Sequence, residues 1–175
     1  MKAFLGALAV SLSVAAAAAA HGTTGRAVVS CDAAISQGST PSSDRRTTRL
    51  VLGRVWLPKT SNVIDLAPVR AGEDRFAKWG IEVRAGSPIV LAVPAGWRRT
   101  YSLEFGSRDG AAVRRVRDGA ASVTVHACAG LLGRWSRYAG GYELRRGACV
   151  PLIVRAGGRS LRIRLSLGRR CTGPG

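Results

Sequence analysis

The chain has 175 residues, 46% of them hydrophobic, and carries 27 basic against 10 acidic residues for a net charge of +17. That is one domain's length with enough apolar matter for a core, which argues against a multidomain architecture. The charge makes weak, salt-sensitive and unselective attraction to polyanions a property of composition alone.

Of the basic residues, 24 are Arg and 3 are Lys. A high-GC coding bias accounts for Arg over Lys, but not for the scarcity of acids. Lys2 precedes an uncharged, mostly apolar run over residues 3–20 that ends in Ala18-Ala19-Ala20. A positive start, an apolar stretch and a small-residue end are the parts of a secretory signal peptide. Residues 1–20 are read as that signal peptide and residues 21–175 as one domain, with the mature chain starting at His21. No later apolar run reaches the roughly 18 residues that span a bilayer, so no stable transmembrane segment is expected after cleavage. The mature protein is read as secreted, where its cysteines meet oxidising conditions.

Residues 27–31 form the first strand candidate. Residues 36–48 (SQGSTPSSDRRTT) offer almost nothing to bury and read as a mobile loop. Residues 50–57 (LVLGRVWL) read as one strand closed by Pro58, and residues 63–69 as a short apolar segment broken by Pro68. Residues 79–84, 88–93 and 100–105 read as a meander turned at Ala85-Gly86 and at Pro94-Ala95-Gly96. In the last of these, Tyr101, Leu103 and Phe105 alternate with Ser102 and Glu104, the period of a half-buried strand. Residues 111–117 read as an edge strand guarded by Arg114, Arg115 and Arg117.

Residues 121–128 alternate and are β-branched; a loop holding Trp135 and Tyr138 follows, and Gly140-Gly141 leads into residues 142–146. Residues 149–155 and 159–167 flank Gly157-Gly158 and read as a hairpin. Leu161, Ile163, Leu165 and Leu167 are expected to be buried. Arg162 and Arg164 are expected to share the solvent side, with Arg155 joining them across the turn. Short strands, frequent turns and the lack of an amphipathic helix, repeat or heptad point to an all-β fold, an antiparallel β-sandwich.

Four cysteines in an exported domain read as two structural disulfides stapling that sandwich. Cys128 and Cys149 lie at the ends of strands joined by one loop. A hairpin folded near Tyr138-Ala139 is expected to pair them, which leaves Cys31 to tie the first strand to the last at Cys171. No short Cys or His spacing suits zinc, and neither a metal nor a cofactor is expected. His126 and Cys128 share one face of a strand. A disulfide-bonded sulfur is no nucleophile, however, so His126 is read as an ordinary strand residue. No nucleophile elbow, His-Glu-x-x-His helix or phosphate-binding loop occurs. Spacing selects no catalytic pair among the 10 carboxylates.

Trp97 precedes Arg98-Arg99, and Trp135 is flanked by Arg134 and Arg137. Trp97 is expected at a loop tip and Trp135 is similarly flanked; such indoles either pack in the core and against their own arginines or, with them, grip a glycan or an anion. Arg stacked on indole contributes roughly 0.5–2 kcal/mol. The candidate binding surface is Trp97, Arg98, Arg99, Trp135, Arg162 and Arg164, and the expected partner a glycan or an anionic envelope polymer.

The C-terminal third carries Val123-Thr124-Val125-His126-Ala127-Cys128, Tyr138-Ala139-Gly140-Gly141-Tyr142, Ala148-Cys149-Val150-Pro151-Leu152 and Leu167-Gly168-Arg169-Arg170-Cys171. With the early Cys31, these segments resemble a family of uncharacterised small secreted proteins from high-GC bacteria. The resemblance implies export, two disulfides and a β domain, and it implies no activity. The chain is thus read as an exported, non-enzymatic binding or envelope-associated β domain, the alternative being an extracellular hydrolase with an unrecognised carboxylate pair.

Overall fold

The computed structural model describes residues 25–67, 72–106, 115–128 and 134–172. The expected signal peptide and the expected mature start at His21 lie outside the described residues, as does most of the expected edge strand at residues 111–117. Fourteen strands are described. They are β1 (Arg26–Val29), β2 (Ser36–Gly38), β3 (Thr48–Val51), β4 (Val55–Pro58), β5 (Val63–Ile64), β6 (Arg75–Lys78), β7 (Ile81–Arg84), β8 (Ile89–Ala92), β9 (Tyr101–Phe105), β10 (Ser122–Val125), β11 (Trp135–Tyr138), β12 (Gly140–Leu144), β13 (Ala148–Ala156) and β14 (Arg159–Leu167). The only helical pieces among the described residues are three single 3₁₀ turns. The fold is the β-sandwich with two disulfides that the alternating pattern predicts.

Six strands form one sheet in the order β1-β10-β8-β13-β14-β5. Five more run β2-β11-β7-β4-β3, and three run β6-β12-β9. The last two sheets are joined through their chains: β6 runs on into β7 and β11 into β12, with Trp79 N–H donating to the Gly140 carbonyl at 2.9 Å where they pass. Gly140-Gly141, expected only as a lead-in, is therefore the crossing between sheets. Gly140 has φ 152°, and a Cβ there would lie 2.1 Å from the Glu104 carbonyl oxygen. Only glycine lets the backbones approach so closely.

Val55, Leu57, Val83, Leu91, Leu103, Tyr142, Leu152 and Leu165 join one core that draws on all three sheets. The Tyr101 hydroxyl donates across to the Pro151 carbonyl, and the Tyr138 hydroxyl to the His126 carbonyl at 2.6 Å. Burying a phenol in this way satisfies its polar end while its ring fills the core.

Most pairings are antiparallel, but β1–β10 and β14–β5 are parallel. The first of these overturns the expected cysteine pairing. Val29 lies opposite Val125 in parallel register, so the two chains leave the sheet at the same end. Cys31 there bonds Cys128, with Cα atoms 5.3 Å apart. Cys149 lies opposite Ser166 in the β13–β14 hairpin. The chain turns back at Gly168, φ 62°, and Cys171 bonds Cys149 with Cα atoms 4.9 Å apart. The expected Cys128–Cys149 link fails because β11 and β12 are not one hairpin arm: they pair with β7 and β2 and with β6 and β9.

Four further expectations are corrected. Residues 50–57 are not one strand but a hairpin, turned through Leu52 and Gly53 at φ 51° and 69°. A leucine in the left-handed region is uncommon, and nothing in its side chain announces it. Residues 36–48 do not form a free loop. They hold β2 and a turn in which the Ser42 and Ser43 amides and the Ser43 hydroxyl donate to the buried Glu82 carboxylate at 2.7–3.1 Å. Trp135 and Tyr138 lie not in a loop but on β11, both buried. The described part of residues 111–117 is an exposed Arg115 followed by a 3₁₀ turn at Val116–Asp118, not a strand.

Candidate functional site

β14 meets β5 only at Ser166 and Leu167. Its outer edge from residue 159 to 165 is therefore open along most of its length. The Thr60 hydroxyl donates to the Arg164 carbonyl at 3.0 Å, and the Ser166 hydroxyl donates to the Thr60 carbonyl at 2.6 Å, which caps the lower end of that edge. Above the cap lies a groove of about 530 Å³.

Two strands and a turn furnish its cations and its aromatic wall. Arg162 and Arg164 project from β14 on the face opposite the buried Ile163 and Leu165. Residues two apart on a strand are separated by about 7 Å, so the two guanidinium stems are spaced by that interval. Arg49 comes from β3 in the other layer, and Trp97 from the 3₁₀ turn at Ala95–Trp97. Pro151 and Cys149 contribute the β13 side. Among the described residues no carboxylate lines this groove. The Arg49 Nε is buried without a hydrogen-bond partner, and desolvation holds its pKa below the ordinary guanidinium value. A buried donor without an acceptor is costly, so this nitrogen favours an incoming anionic or carbonyl oxygen.

The Arg164 Nε donates to the Cys149 sulfur at 3.2 Å. That contact places the Cys149–Cys171 bridge at the rim of the groove. Beyond it lies a second trough of about 490 Å³, lined by Arg146, Arg169 and Arg170 with Thr100 and Thr172. Trp97 and Cys149 belong to both linings. Among the described residues the second trough has no carboxylate in its lining either.

The surface expected from the sequence is thus assembled in part. Trp97, Arg162 and Arg164 converge, and Arg155 faces the same side of the sheet, its partner Ser160 being two places from Arg162. Arg98 and Arg99 are exposed in the following turn but do not line the groove. Trp135 belongs to the interior: it is 8% exposed and its ring lies 6.4 Å from that of Trp56. It shares one face of its sheet with Glu82 and Trp56, the face on which the Ser42–Ser43 turn closes. Leu161, expected in the core, is 43% exposed and lines the groove instead, near the tip of the β13–β14 hairpin where it faces Val154. Arg49, Arg146, Arg169 and Arg170 escape a reading of the sequence. The local signal is that Arg169 and Arg170 run into Cys171, with Arg146 three residues before Cys149.

Carboxylates gather elsewhere. Glu104 faces Gly141, and Glu143 faces Ser102, so both acids lie on one face of the three-stranded sheet. Both are buried, at 7% and 3% exposure, where an alternating strand would have placed them in solvent. The turn at Val116–Asp118 covers this face: Val116 N–H donates to Asp74 at 2.8 Å, and a Cβ on Gly119 would lie 2.1 Å from the Ser102 hydroxyl oxygen. Burial pushes the Glu143 carboxyl up to about 8, helped by the charges of Glu104, Asp74 and Glu73. Glu82 behaves oppositely. Burial alone would raise it, but hydrogen bonds from Ser43, Ser42 and Arg137 outweigh burial and hold it below the usual carboxylate value. Among the described residues no group of three His, Cys, Asp or Glu is placed to hold a metal ion.

No family model, no curated protein and no solved structure matches the chain.

Proposed function

We propose that this protein is an exported, non-enzymatic binding domain of the cell envelope that takes glycans or anionic envelope polymers in the Trp97 groove. The observation that carries this reading is the convergence of Arg49, Arg162 and Arg164, drawn from both layers, beside Trp97 and the exposed Leu161 in a groove that no carboxylate among the described residues lines. Guanidinium groups bind anionic oxygens in a forked geometry, and an indole with an apolar neighbour suits the C–H face of a sugar ring. Export is supported by the N-terminal Lys2 and apolar run, and by two disulfides of the kind that persist in oxidising compartments.

The hydrolase alternative draws on Glu104 and Glu143, since a carboxyl group held protonated near neutral pH is what a general acid needs. Both groups are nearly closed to solvent and line no groove described here, which favours a structural part for them.

The test is a panel of glycans and anionic polymers at two salt concentrations, with wild type and Arg162→Ser/Arg164→Ser. Selective, saturable binding that weakens in the double variant, with a salt slope shallower by about one to two units, is expected. Equal, unselective binding by both proteins would mean that the charge acts only through composition.

A further inference from the structure

The groove does not end at Trp97, and its continuation bears on the size and kind of ligand. Trp97 and Cys149 are shared by two troughs of about 530 and 490 Å³. Each is large enough to take a small ligand by itself. Among the described residues each carries three arginines: Arg49, Arg162 and Arg164 on one side, Arg146, Arg169 and Arg170 on the other. Cations grouped in one groove raise the local positive potential and attract an anionic ligand. Among the described residues Arg49, Arg146, Arg162, Arg169 and Arg170 take part in no salt bridge.

Resting on the reading above, we propose that the two troughs are one site, and that its ligand is an acidic polysaccharide chain lying across Trp97 with anionic groups in both. Arg162 and Arg164 repeat at about 7 Å along β14, which suits a ligand with regularly repeated charge rather than a single anion. Trp97, half-buried against the core, offers its remaining ring surface as one stacking position shared by both troughs. Thr100 and Thr172 add hydroxyls that hydrogen-bond sugar hydroxyls in the second trough. A single-stranded nucleic acid fits less well, because its binding surfaces present several aromatics to successive bases, and among the described residues Trp97 is the one aromatic lining either trough. The Cys149–Cys171 bridge has a defined part in this site. It holds the segment carrying Arg169 and Arg170 against the start of β13, next to Arg146, and so builds the second trough.

The experiment uses an oligogalacturonate series as probe: monomer, trimer and hexamer. A neutral glucan hexamer and an oligodeoxynucleotide of equal charge are run beside it. Wild type is compared with Arg146→Ser/Arg169→Ser/Arg170→Ser, three exposed positions whose change does not touch the core, and with Arg162→Ser/Arg164→Ser. Wild type should bind the hexamer at least about tenfold more tightly than the trimer, which is about 1.4 kcal/mol. The triple variant should lose that gain while keeping its trimer affinity. A hexamer gain that survives in the triple variant overturns the two-trough site and leaves the Trp97 groove standing. Equal or tighter binding of the oligodeoxynucleotide overturns the glycan assignment alone. If Arg162→Ser/Arg164→Ser leaves every probe unaffected, the proposed function falls with the inference.

Discussion

Val29 lies directly opposite Val125 in a parallel strand pair, and that register decides which cysteines meet. Two residues beyond Val29 is Cys31, and three beyond Val125 is Cys128, at the same end of the sheet. The bridge spans 97 residues, whereas Cys149–Cys171 spans 22.

A non-reducing peptide map should show Cys31–Cys128 and Cys149–Cys171. In the chain-entropy account, removing the longer bridge costs about 4.7 kcal/mol and the shorter about 3.4 kcal/mol. Chemical denaturation of Cys31→Ala/Cys128→Ala and Cys149→Ala/Cys171→Ala should therefore rank the first pair as the more damaging. The reverse order would show that the second bridge holds more than its own hairpin.

Glu143 gives stability a dependence on pH. Its folded value is raised to about 8 from an ordinary 4.5. Between those values the folded state keeps a proton that the unfolded chain has released. Stability is full below the unfolded value, falls as pH rises, and levels off above the folded value. Glu143→Gln supplies a neutral group of the same shape, so it should flatten this limb and raise the melting temperature most at alkaline pH. Thermal scans of both proteins across the range decide it; parallel pH profiles would remove Glu143 as the cause.

Glu82 works at the acid end. Its pKa is held below the ordinary value, so the stability it contributes is present above that ordinary value and is lost as pH falls through the folded one. Its carboxylate takes hydrogen bonds from Ser42, Ser43 and Arg137. Glu82→Gln should cost about 2–3 kcal/mol, because hydrogen bonds to a charged acceptor are among the stronger ones. Hydrogen exchange should rise in residues 39–47 before it rises in β13 and β14. Protection unchanged at Ser42 and Ser43 would refute the anchoring role.

Gly140 and Gly53 separate conformational strain from steric clash. Both have positive φ, 152° and 69°. A Cβ at Gly53 meets nothing within 4 Å, whereas at Gly140 it lies 2.1 Å from a backbone oxygen. Gly53→Ala should cost about 1 kcal/mol, the ordinary cost of the left-handed region. Gly140→Ala must move backbone and should cost more than about 2 kcal/mol. Similar urea midpoints for the two variants would mean that the sheet junction yields easily.

The β13–β14 hairpin was legible in the residues themselves. Leucine and isoleucine alternate with arginine over residues 161–165, and Gly157-Gly158 supplies the two positive φ values its turn needs. Those signals are local, within reach of strand period and turn chemistry, and from them the class of the fold, the even cysteine set and the outward side of Arg162 and Arg164 follow. Leu52 shows the limit: its left-handed turn is imposed by the pairing of β3 with β4, not by any preference of leucine. The parallel pairing of β1 with β10, the passage of β11 into β12 between sheets, and the meeting of Arg49 with Trp97 and Arg162 depend on contacts between residues far apart in the chain. Alternation states that a strand has two faces, but not which strand lies beside it or what closes over its second face. For that reason Glu104 and Glu143, polar by pattern and outward by period, are buried, and only the packed layers decided it.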